Sequence, residues 1–495
     1  MSSSGRVVSG VIWTTILNVV NAVYGFIAVP ILINFFGKAQ YGLIGLAMSI
    51  NVYMQLMDMG FNSTNVRFFS NWISTNNYDN IRKGFQTSLS FYGLIGLINA
   101  IILVIISCFS SSLFNVTAHQ DVILKNLFYI LSISAFLSWY SSCFDQLIRA
   151  TENVAWIQSA TLITKILMIV VLVTTVFLKL NIETYYVLTC LAGFSTMPWY
   201  VKKIRKLLPY VQFKPKVDKT ILKTMLPYSM NIFSFSLFQF SFYNLRPVFL
   251  GMEGSVESVA DYRILNGIVT LVGMVGGAFM GALIPSTSRI VAQNNIEAYN
   301  KVAYQGTKYI SILVCFCCFG IMTVGPELLS IYVGDQYLYL VPWLNLWLLC
   351  TLGTHNQAIS TLILAGDDIR AISYSSVFAS VVGLLSAWLL IPKYQVGGTV
   401  IAFAIYITIQ LSFYYTYWWP KHMKINSWLV FTRCFAPFCF IGFSLAAITR
   451  YIPHTNNKWA DLFIFSCSFT LFYAVLSIMF ASKEDKKFFK SLLKK

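Results

Sequence analysis

Apolar stretches of about twenty residues, separated by short polar breaks, follow one another along the chain. A helix rises about 1.5 Å per residue, so about twenty apolar residues cross a hydrocarbon core about 30 Å thick. An uninterrupted helix also satisfies its own backbone hydrogen bonds in lipid. The pattern predicts an all-α polytopic membrane protein with about 14 transmembrane helices. The predicted spans are 11–34, 41–66, 85–108, 123–147, 154–178, 183–201, 221–249, 262–284, 305–325, 341–364, 370–391, 396–418, 428–449 and 460–480.

Composition argues against an enzyme. Hydrophobic residues make up 57% of the chain and charged residues 11%, unlike a soluble domain. No HExxH, Walker A, GxSxG or GxGxxG pattern occurs, and the short loops leave no room for a catalytic domain. Cys315 and Cys318 have CxxC spacing inside an apolar span, which is more typical of packing than of a metal or redox site. We expect no catalytic residue, no metal and no cofactor beyond a coupling proton or Na⁺.

The distribution of cations predicts the topology. With the N-terminus inside, 26 of the 35 Lys and Arg fall in cytoplasmic segments, richest at 202–223 and 483–495. The positive-inside rule then places both termini in the cytoplasm. Topology and contact with anionic membrane lipids account for the net charge of +17, so no nucleic-acid partner is expected.

Polar residues inside the spans recur at helical spacing. Such residues are costly in lipid and are expected to face protein or water. Positions separated by three or four residues share one face of a helix. The stripes comprise Thr14, Asn18 and Asn21 in the first span, Asn51, Gln55, Asp58 and Asn62 in the second, Ser138, Ser142, Asp145 and Arg149 in the fourth, and Gln158, Thr161 and Lys165 in the fifth.

These stripes allow two interpretations. Ser, Thr and Asn side chains can hydrogen-bond between neighbouring helices with no cavity at all. Because the stripes also hold ionisable residues, they favour a shared hydrated lumen, and hence a transport cavity. The predicted lumen residues are Lys165, Arg149, Arg246, Arg67, Arg263, Asn18, Asn21, Asn51, Gln55 and Gln158. Asp58, Asp145 and Glu152 are candidates for ion coupling, although pairing with Arg67 or Arg149 is the more ordinary explanation.

Lys165 is the most informative single residue. It lies about eleven residues into its span, about 16 Å deep, where a lysine cannot easily reach the interface. One interpretation pairs Lys165 with Asp58 or Asp145 as a packing clamp. The other places its ammonium group in the cavity to hold an anionic group. In that interpretation Arg149 and Arg67 lie near the inner mouth, and Arg246 and Arg263 lie near the outer mouth.

A weak internal repeat predicts the domain organisation. Residues 30–37 and 247–254 each begin with Pro, end with Gly and lead into an apolar helix. Repeat-built transporters place their cavity between such halves. The predicted organisation is an N-terminal six-helix lobe at 1–201, a basic cytoplasmic linker at 202–220, a C-terminal six-helix lobe at 221–420, helices 13 and 14 at 421–482, and a basic cytoplasmic tail at 483–495.

Five short segments carry a resemblance to a known family. They are FGKAQYGL at 36–43, LMDMGF at 56–61 with Arg67-Phe68, ALIPSTSR at 282–289, LAGDD at 364–368 and LIPKYQVGG at 390–398. In this order they resemble the polysaccharide-transport branch of the multidrug/oligosaccharidyl-lipid/polysaccharide (MOP) exporter superfamily, which includes Wzx-type O-antigen flippases. The resemblance spans nearly the whole chain.

The resemblance implies a flippase that moves an undecaprenyl-diphosphate-linked oligosaccharide to the outer leaflet of a bacterial inner membrane. It implies alternating access between two lobes arranged as an inverted V, with a cationic lumen for the diphosphate. It also implies roles in O-antigen, lipopolysaccharide or capsule synthesis beside polymerase and chain-length proteins. Related lipid II flippases carry arginines in the first helix, where this chain has Asn18 and Asn21, so the anion contacts are expected at Lys165, Arg149 and Arg246.

Three alternatives remain at this point. A drug or small-cation exporter of the multidrug and toxic compound extrusion (MATE) type would favour an acidic and aromatic cavity. A non-transporting scaffold of a glycan-assembly complex would tolerate loss of the lumen charges. A membrane enzyme is disfavoured by the short loops.

Overall fold

Helices form nearly all of the computed structural model, which describes residues 3–366, 370–449, 451–455 and 457–480. No β-strand occurs within these four ranges. Ten helical segments in the described part are long and apolar enough to cross a membrane. The predicted all-α, multi-pass membrane architecture is therefore confirmed.

The chain divides into two compact units, Met1–Tyr262 and Arg263–Lys495. In the first, a short helix, Ser110–Leu113, follows the fourth of the main helices. The main helices are α1 (Ser3–Phe36), α2 (Lys38–Met54), α3 (Phe61–Ser74), α4 (Tyr78–Cys108), α5 (Ala118–Ala150), α6 (Val154–Phe177), α7 (Ile182–Phe194), α8 (Met197–Leu207), α9 (Lys219–Glu253) and the beginning of α10 (Val256–Ala292).

The second unit begins within α10. Its further main helices are α11 (Ile296–Lys301), α12 (Thr307–Thr323), α13 (Gly325–Tyr332), α14 (Val341–Thr351), α15 (Gln357–Ala365), α16 (Arg370–Tyr394), α17 (Val396–Phe413), α18 (Ala436–Thr449) and α19 (Lys458–Met479). Tighter or wider helical turns join several of them: Val302–Gly306, Asp335–Leu340, Leu352–Asn356, Tyr414–Met423, and Val430–Phe435 after the short helix Ser427–Leu429.

All fourteen predicted spans lie on helical segments, but the second and the sixth break well inside their length. The second span breaks between α2 and α3, where Met59 and Gly60 adopt left-handed φ angles of 50° and 75°. The sixth span breaks between α7 and α8, just before Pro198. Proline has no backbone N–H and therefore cannot donate the hydrogen bond that would continue the preceding helix. The interpretation of Asn51, Gln55, Asp58 and Asn62 as one continuous helical face is therefore wrong.

The core of the first unit is aromatic. Phe85 of α4 packs edge-on against Phe144 of α5, with ring centroids 5.4 Å apart. Phe213, from the segment between α8 and α9, packs against both rings at 5.8 and 5.6 Å. The Asp218 backbone N–H also donates to Thr87 Oγ1 at 3.0 Å. The basic segment before α9 is thus held against this bundle.

One close helix contact requires glycine. Gly42 of α2 is buried, and a Cβ at this position would overlap the backbone carbonyl of Val256 at the start of α10. Lys38 and Asp261 hold the same two elements together, with Lys38 Nζ 2.8 Å from Asp261 Oδ1. The small residue at 42 therefore sets the distance at which these elements pack.

Replacing Gly42 with Ala is expected to lower the free energy of unfolding by about 1–3 kcal/mol, because overpacking a rigid contact forces the backbone apart. Thermal unfolding of the purified protein in detergent measures the change. Gly25→Ala is the matched control, since no atom lies within 4 Å of a Cβ built at Gly25. Equal melting temperatures for the two variants would show that the contact at Gly42 is loose.

Candidate functional site

A line of polar side chains follows the contact between α1 and α6. Gln158 Nε2 donates to Thr14 Oγ1 at 3.2 Å. Further along both helices, Lys165 Nζ lies 5.8 Å from the centre of the Tyr24 ring. From the first pair to the second, the residue numbers increase on both helices, so the two helices run parallel here. We call this the polar seam. Its contacts join Thr14, Tyr24, Gln158 and Lys165. Asn18 and Asn21 are assigned to it by their helical spacing from Thr14 on α1.

Lys165 carries the charge of the polar seam. Its ammonium group contacts Met168 Sδ at 3.8 Å and the face of Tyr24, and both contacts are weak. Within the described part of the chain, no carboxylate lies within 4.0 Å of Lys165 Nζ. Two of its three ammonium protons can therefore point to a ligand or water.

The remaining amides of the seam also have hydrogen-bonding capacity to spare. Asn18 is exposed and Asn21 is half-buried. Asn21 Oδ1 is buried and has no hydrogen-bond partner among the described residues. Tyr24 completes the seam by hydrogen bonding to Tyr185 of α7. These amide groups can donate to and accept from hydroxyl-rich ligands.

A second set of polar residues lies inside the bundle of α3, α4 and α5. Ser88 Oγ donates to Asn65 Oδ1 at 2.8 Å, and Asn65 Nδ2 donates to Gln146 Oε1 at 2.6 Å. Gln146 Nε2 donates to the Tyr92 hydroxyl at 2.8 Å, which donates to Asp58 Oδ1 at 2.6 Å. We call these five residues the polar chain. All except Asp58 are buried.

Of the five residues of the polar chain, only Asp58 was predicted from the sequence. Ser88 and Tyr92 are four residues apart inside the third span, which places them on one face of α4. That spacing was the available signal, but Ser and Tyr are common in apolar helices and did not stand out. Gln146 lies directly after Asp145 and therefore on a different face from the predicted stripe of α5.

The fourth-span stripe forms one continuous face of α5. Arg149 Nε lies 2.6 Å from Asp145 Oδ2, and Nη2 lies 3.3 Å from Oδ1. This is the ordinary ion pair that the sequence offered as an alternative to ion coupling. Glu152 follows the end of α5, exposed and with a left-handed φ of 61°.

The other predicted arginines occupy three different environments. Arg67 is exposed, and its guanidinium carbon lies 4.1 Å above the Tyr228 ring. Arg246 is only 2% exposed, with its guanidinium 4.9 Å from the Phe242 ring centre. Arg263 is half-buried in α10. The buried Arg246 is an aromatic-packed residue of the first unit.

The contacts therefore divide some of the predicted site residues between two clusters and leave others, among them Arg67, Arg246 and the Asp145–Arg149 pair, outside both. The polar seam holds Lys165, and the polar chain holds Asp58. Asn51 is half-buried on α2 and Gln55 is exposed at the break after it. In the described part of the chain, no group of three His, Cys, Asp or Glu side chains is arranged to hold a metal ion.

Sequence comparison identifies the family. Residues 7–291, more than half of the chain, match the family described as "Polysaccharide biosynthesis protein". The chain belongs to the polysaccharide biosynthesis protein family. No curated protein sequence matches it. The predicted resemblance is thereby confirmed.

The fold of this polysaccharide biosynthesis protein is similar to those of solved transporters. One is "Lipid II flippase MurJ, inward closed conformation", with a TM-score of 0.72 and 14% identity over 95% of this chain and 98% of that chain. Another is an inward-facing MATE family transporter of the MOP superfamily, with a TM-score of 0.65 and 14% identity over 87% and 96%. An outward-facing MATE family transporter reaches a TM-score of 0.52 at 15% identity over 92% and 98%. The protein has the MOP transporter fold.

Proposed function

We propose that this protein is a flippase that moves a polyprenyl-diphosphate-linked oligosaccharide from the cytoplasmic to the outer leaflet by alternating access. The family match and the MurJ-like fold support transport for polysaccharide synthesis. The observation that supports the substrate class concerns Lys165. It is a cation inside a membrane helix, and no carboxylate among the described residues pairs with it.

The substrate has two physically opposed parts. A diphosphate and its sugars cannot cross hydrocarbon without partners, whereas a polyprenyl tail dissolves there. A protein that moves such a molecule needs a cation for the phosphates and amides for the sugar hydroxyls. The polar seam supplies both within one unit: Lys165 supplies the cation, and Asn18, Asn21 and Gln158 supply the amides.

An unpartnered ammonium at membrane depth costs at least about 3 kcal/mol on insertion scales. The tyrosine face beneath Lys165 returns only about 0.5–2 kcal/mol of this cost. A phosphate group would offset the remainder through charge-assisted hydrogen bonds, which are about twice as strong as neutral ones. The uncompensated charge is therefore better explained by a transient anionic ligand than by packing.

The orientation is part of the same proposal. The exposed face of α8 carries Lys202, Arg205 and Lys206. Such a basic juxtamembrane segment favours the cytoplasmic leaflet and its anionic lipids. We place both termini in the cytoplasm and the protein in the plasma membrane of a bacterium, in a pathway that makes an O-antigen or capsule-type glycan with a polymerase and chain-length proteins.

Reconstituted protein is expected to flip undecaprenyl diphosphate bearing a fluorescent oligosaccharide across the vesicle membrane. The measurement is the change in the fraction of label that a membrane-impermeant quencher can reach. Protein-free vesicles are the control. Vesicles assayed in parallel for efflux of a cationic dye test the MATE-type alternative. Dye efflux without glycolipid flipping would overturn the proposed substrate class, and neither activity would support the scaffold interpretation.

A further inference from the structure

The interruption of the second span creates an unusual carboxylate environment. Gln55–Asp58 form a single tight turn, after which Met59 and Gly60 take left-handed φ angles. The Met59 carbonyl, which no longer continues a helix, accepts a hydrogen bond from Ser229 of α9. Asp58 Oδ2 accepts from the Asn62 backbone N–H at 3.0 Å, at the start of α3. The carboxylate therefore lies at the positive end of a half-helix.

The described polar contacts of the Asp58 carboxylate are all hydrogen-bond donors. Tyr92 donates to Oδ1, Asn62 donates to Oδ2, and the Gly60 backbone N–H also donates to the carboxylate. A sodium ion needs a shell of oxygen ligands, as other hard cations do. Donor groups repel such an ion but do not prevent a proton from binding. The geometry therefore suits a proton.

No cation competes for this carboxylate. Within the described residues, no Lys, Arg or His nitrogen lies within 4.0 Å of Asp58. The titratable group facing Asp58 from α4 is Tyr92, and α9 contributes the uncharged Ser229. Arg67, on α3, lies over the ring of Tyr228 from α9. A proton on Asp58 would thus replace no existing ion pair.

The polar chain gives the site a direction. From Ser88 through Asn65, Gln146 and Tyr92, each donor points to the next residue and the last points to Asp58. Aligned hydrogen bonds polarise one another, so four bonds reinforce the acceptor role of the carboxylate. A change in the charge of Asp58 therefore alters the strength of the hydrogen bonds that join α3, α4 and α5.

We propose that Asp58 is the residue that binds and releases the coupling proton of this transporter. This proposal rests on the proposed flippase function and selects among the three acidic candidates. Asp145 is held by Arg149, and Glu152 lies exposed beyond the end of α5. Only Asp58 joins a helix break to a buried hydrogen-bonded network.

The step is a single proton transfer. A proton from water on one side of the membrane adds to one carboxylate oxygen of Asp58, and it later leaves to water on the other side. The oxygen that gains the proton becomes a donor and accepts the Asn62 or Tyr92 hydrogen bond less well. The start of α3 then loses its anionic partner. Protonation thereby loosens the break at residues 55–60.

Asp58→Asn tests the proposal in proteoliposomes containing undecaprenyl diphosphate oligosaccharide and an internal pH dye. In wild type, an imposed pH gradient is expected to raise glycolipid flipping, and flipping is expected to move protons. Asp58→Asn is expected to lose at least nine tenths of both effects. Asp79→Asn, an exposed carboxylate on α4, is the matched control and is expected to keep both effects.

Three outcomes would overturn the proposal: unchanged proton movement in Asp58→Asn, loss of proton movement in Asp145→Asn instead, or stimulation of the wild type by a Na⁺ gradient alone. Absence of any wild-type flipping would instead contradict the proposed function. If Asp58→Asn does not fold, Tyr92→Phe provides the second test. It removes one donor to the ionised carboxylate, so the pH dependence of flipping is expected to shift toward higher pH.

Discussion

Replacing Lys165 with Glu is expected to lower the initial rate of glycolipid flipping at least about tenfold. A charged hydrogen bond to a phosphate contributes about 1.5–3 kcal/mol, and about 1.4 kcal/mol corresponds to a factor of ten in rate. Reversing the charge removes this bond and adds repulsion between the carboxylate and the diphosphate. Flipping assays on proteoliposomes with matched protein content measure the rate.

The nature of the group at 165 distinguishes charge from size. Lys165→Arg keeps the cation above Tyr24 and is expected to retain most of the rate, whereas Lys165→Ala loses the cation alone and is expected to fall between Arg and Glu. Lys223→Glu makes the same charge change at an exposed position of α9 and is the control for net charge. Wild-type rates in both Lys165→Ala and Lys165→Glu would remove Lys165 from the substrate path.

The sequence was sufficient to predict most of the fold because membrane insertion is governed by local composition. A run of apolar residues must be helical in hydrocarbon whatever its neighbours are. The break at residues 55–60 could not be predicted in this way. At the break, the Met59 carbonyl accepts a hydrogen bond from Ser229, which is far away in sequence. The apolar residues Leu56, Met57 and Met59 kept the span continuous by hydropathy.

The candidate site shows the same division between local and distant information. Helical spacing predicted that Asn18, Gln158 and Lys165 lie on polar faces, and the structure places Gln158 and Lys165 beside α1. Spacing could not predict partners. Lys165 lies against Tyr24, whereas the predicted alternative paired it with Asp58 or Asp145.

Arg246 illustrates a second limit of sequence reasoning. An arginine near the end of a span was expected at the outer mouth of a cavity, but the structure buries it. Its guanidinium lies within 5.8 Å of the centres of the Phe242, Tyr243 and Tyr262 rings. Aromatic neighbours at three and four residues on the same helix were visible in the sequence, yet Tyr262 comes from α10.

Gln146→Leu is expected to lower the free energy of unfolding by about 2–4 kcal/mol, because it breaks the polar chain at its centre. The side chain is 1% exposed and joins Asn65 to Tyr92. Its loss leaves the Asn65 amide without its acceptor, and an unsatisfied buried group costs about 1–3 kcal/mol in addition to the lost bonds. Denaturant unfolding in detergent measures the change, with Gln158→Leu in the partly exposed polar seam as the matched control.

The double variant Asn65→Leu/Gln146→Leu separates a connected chain from two independent bonds. If the polar chain acts as a unit, the double variant is expected to lose less unfolding free energy than the sum of the two single losses. The expected difference is about 0.5–3 kcal/mol, because the second substitution removes a group that the first left unsatisfied. Strict additivity would contradict the connected network. Tyr92 and Asp58 lie at one end of that network, where Gln146 donates to the Tyr92 hydroxyl and Tyr92 donates to Asp58. A coupling energy between Asn65 and Gln146 therefore also indicates how firmly the bundle positions the Tyr92 hydroxyl.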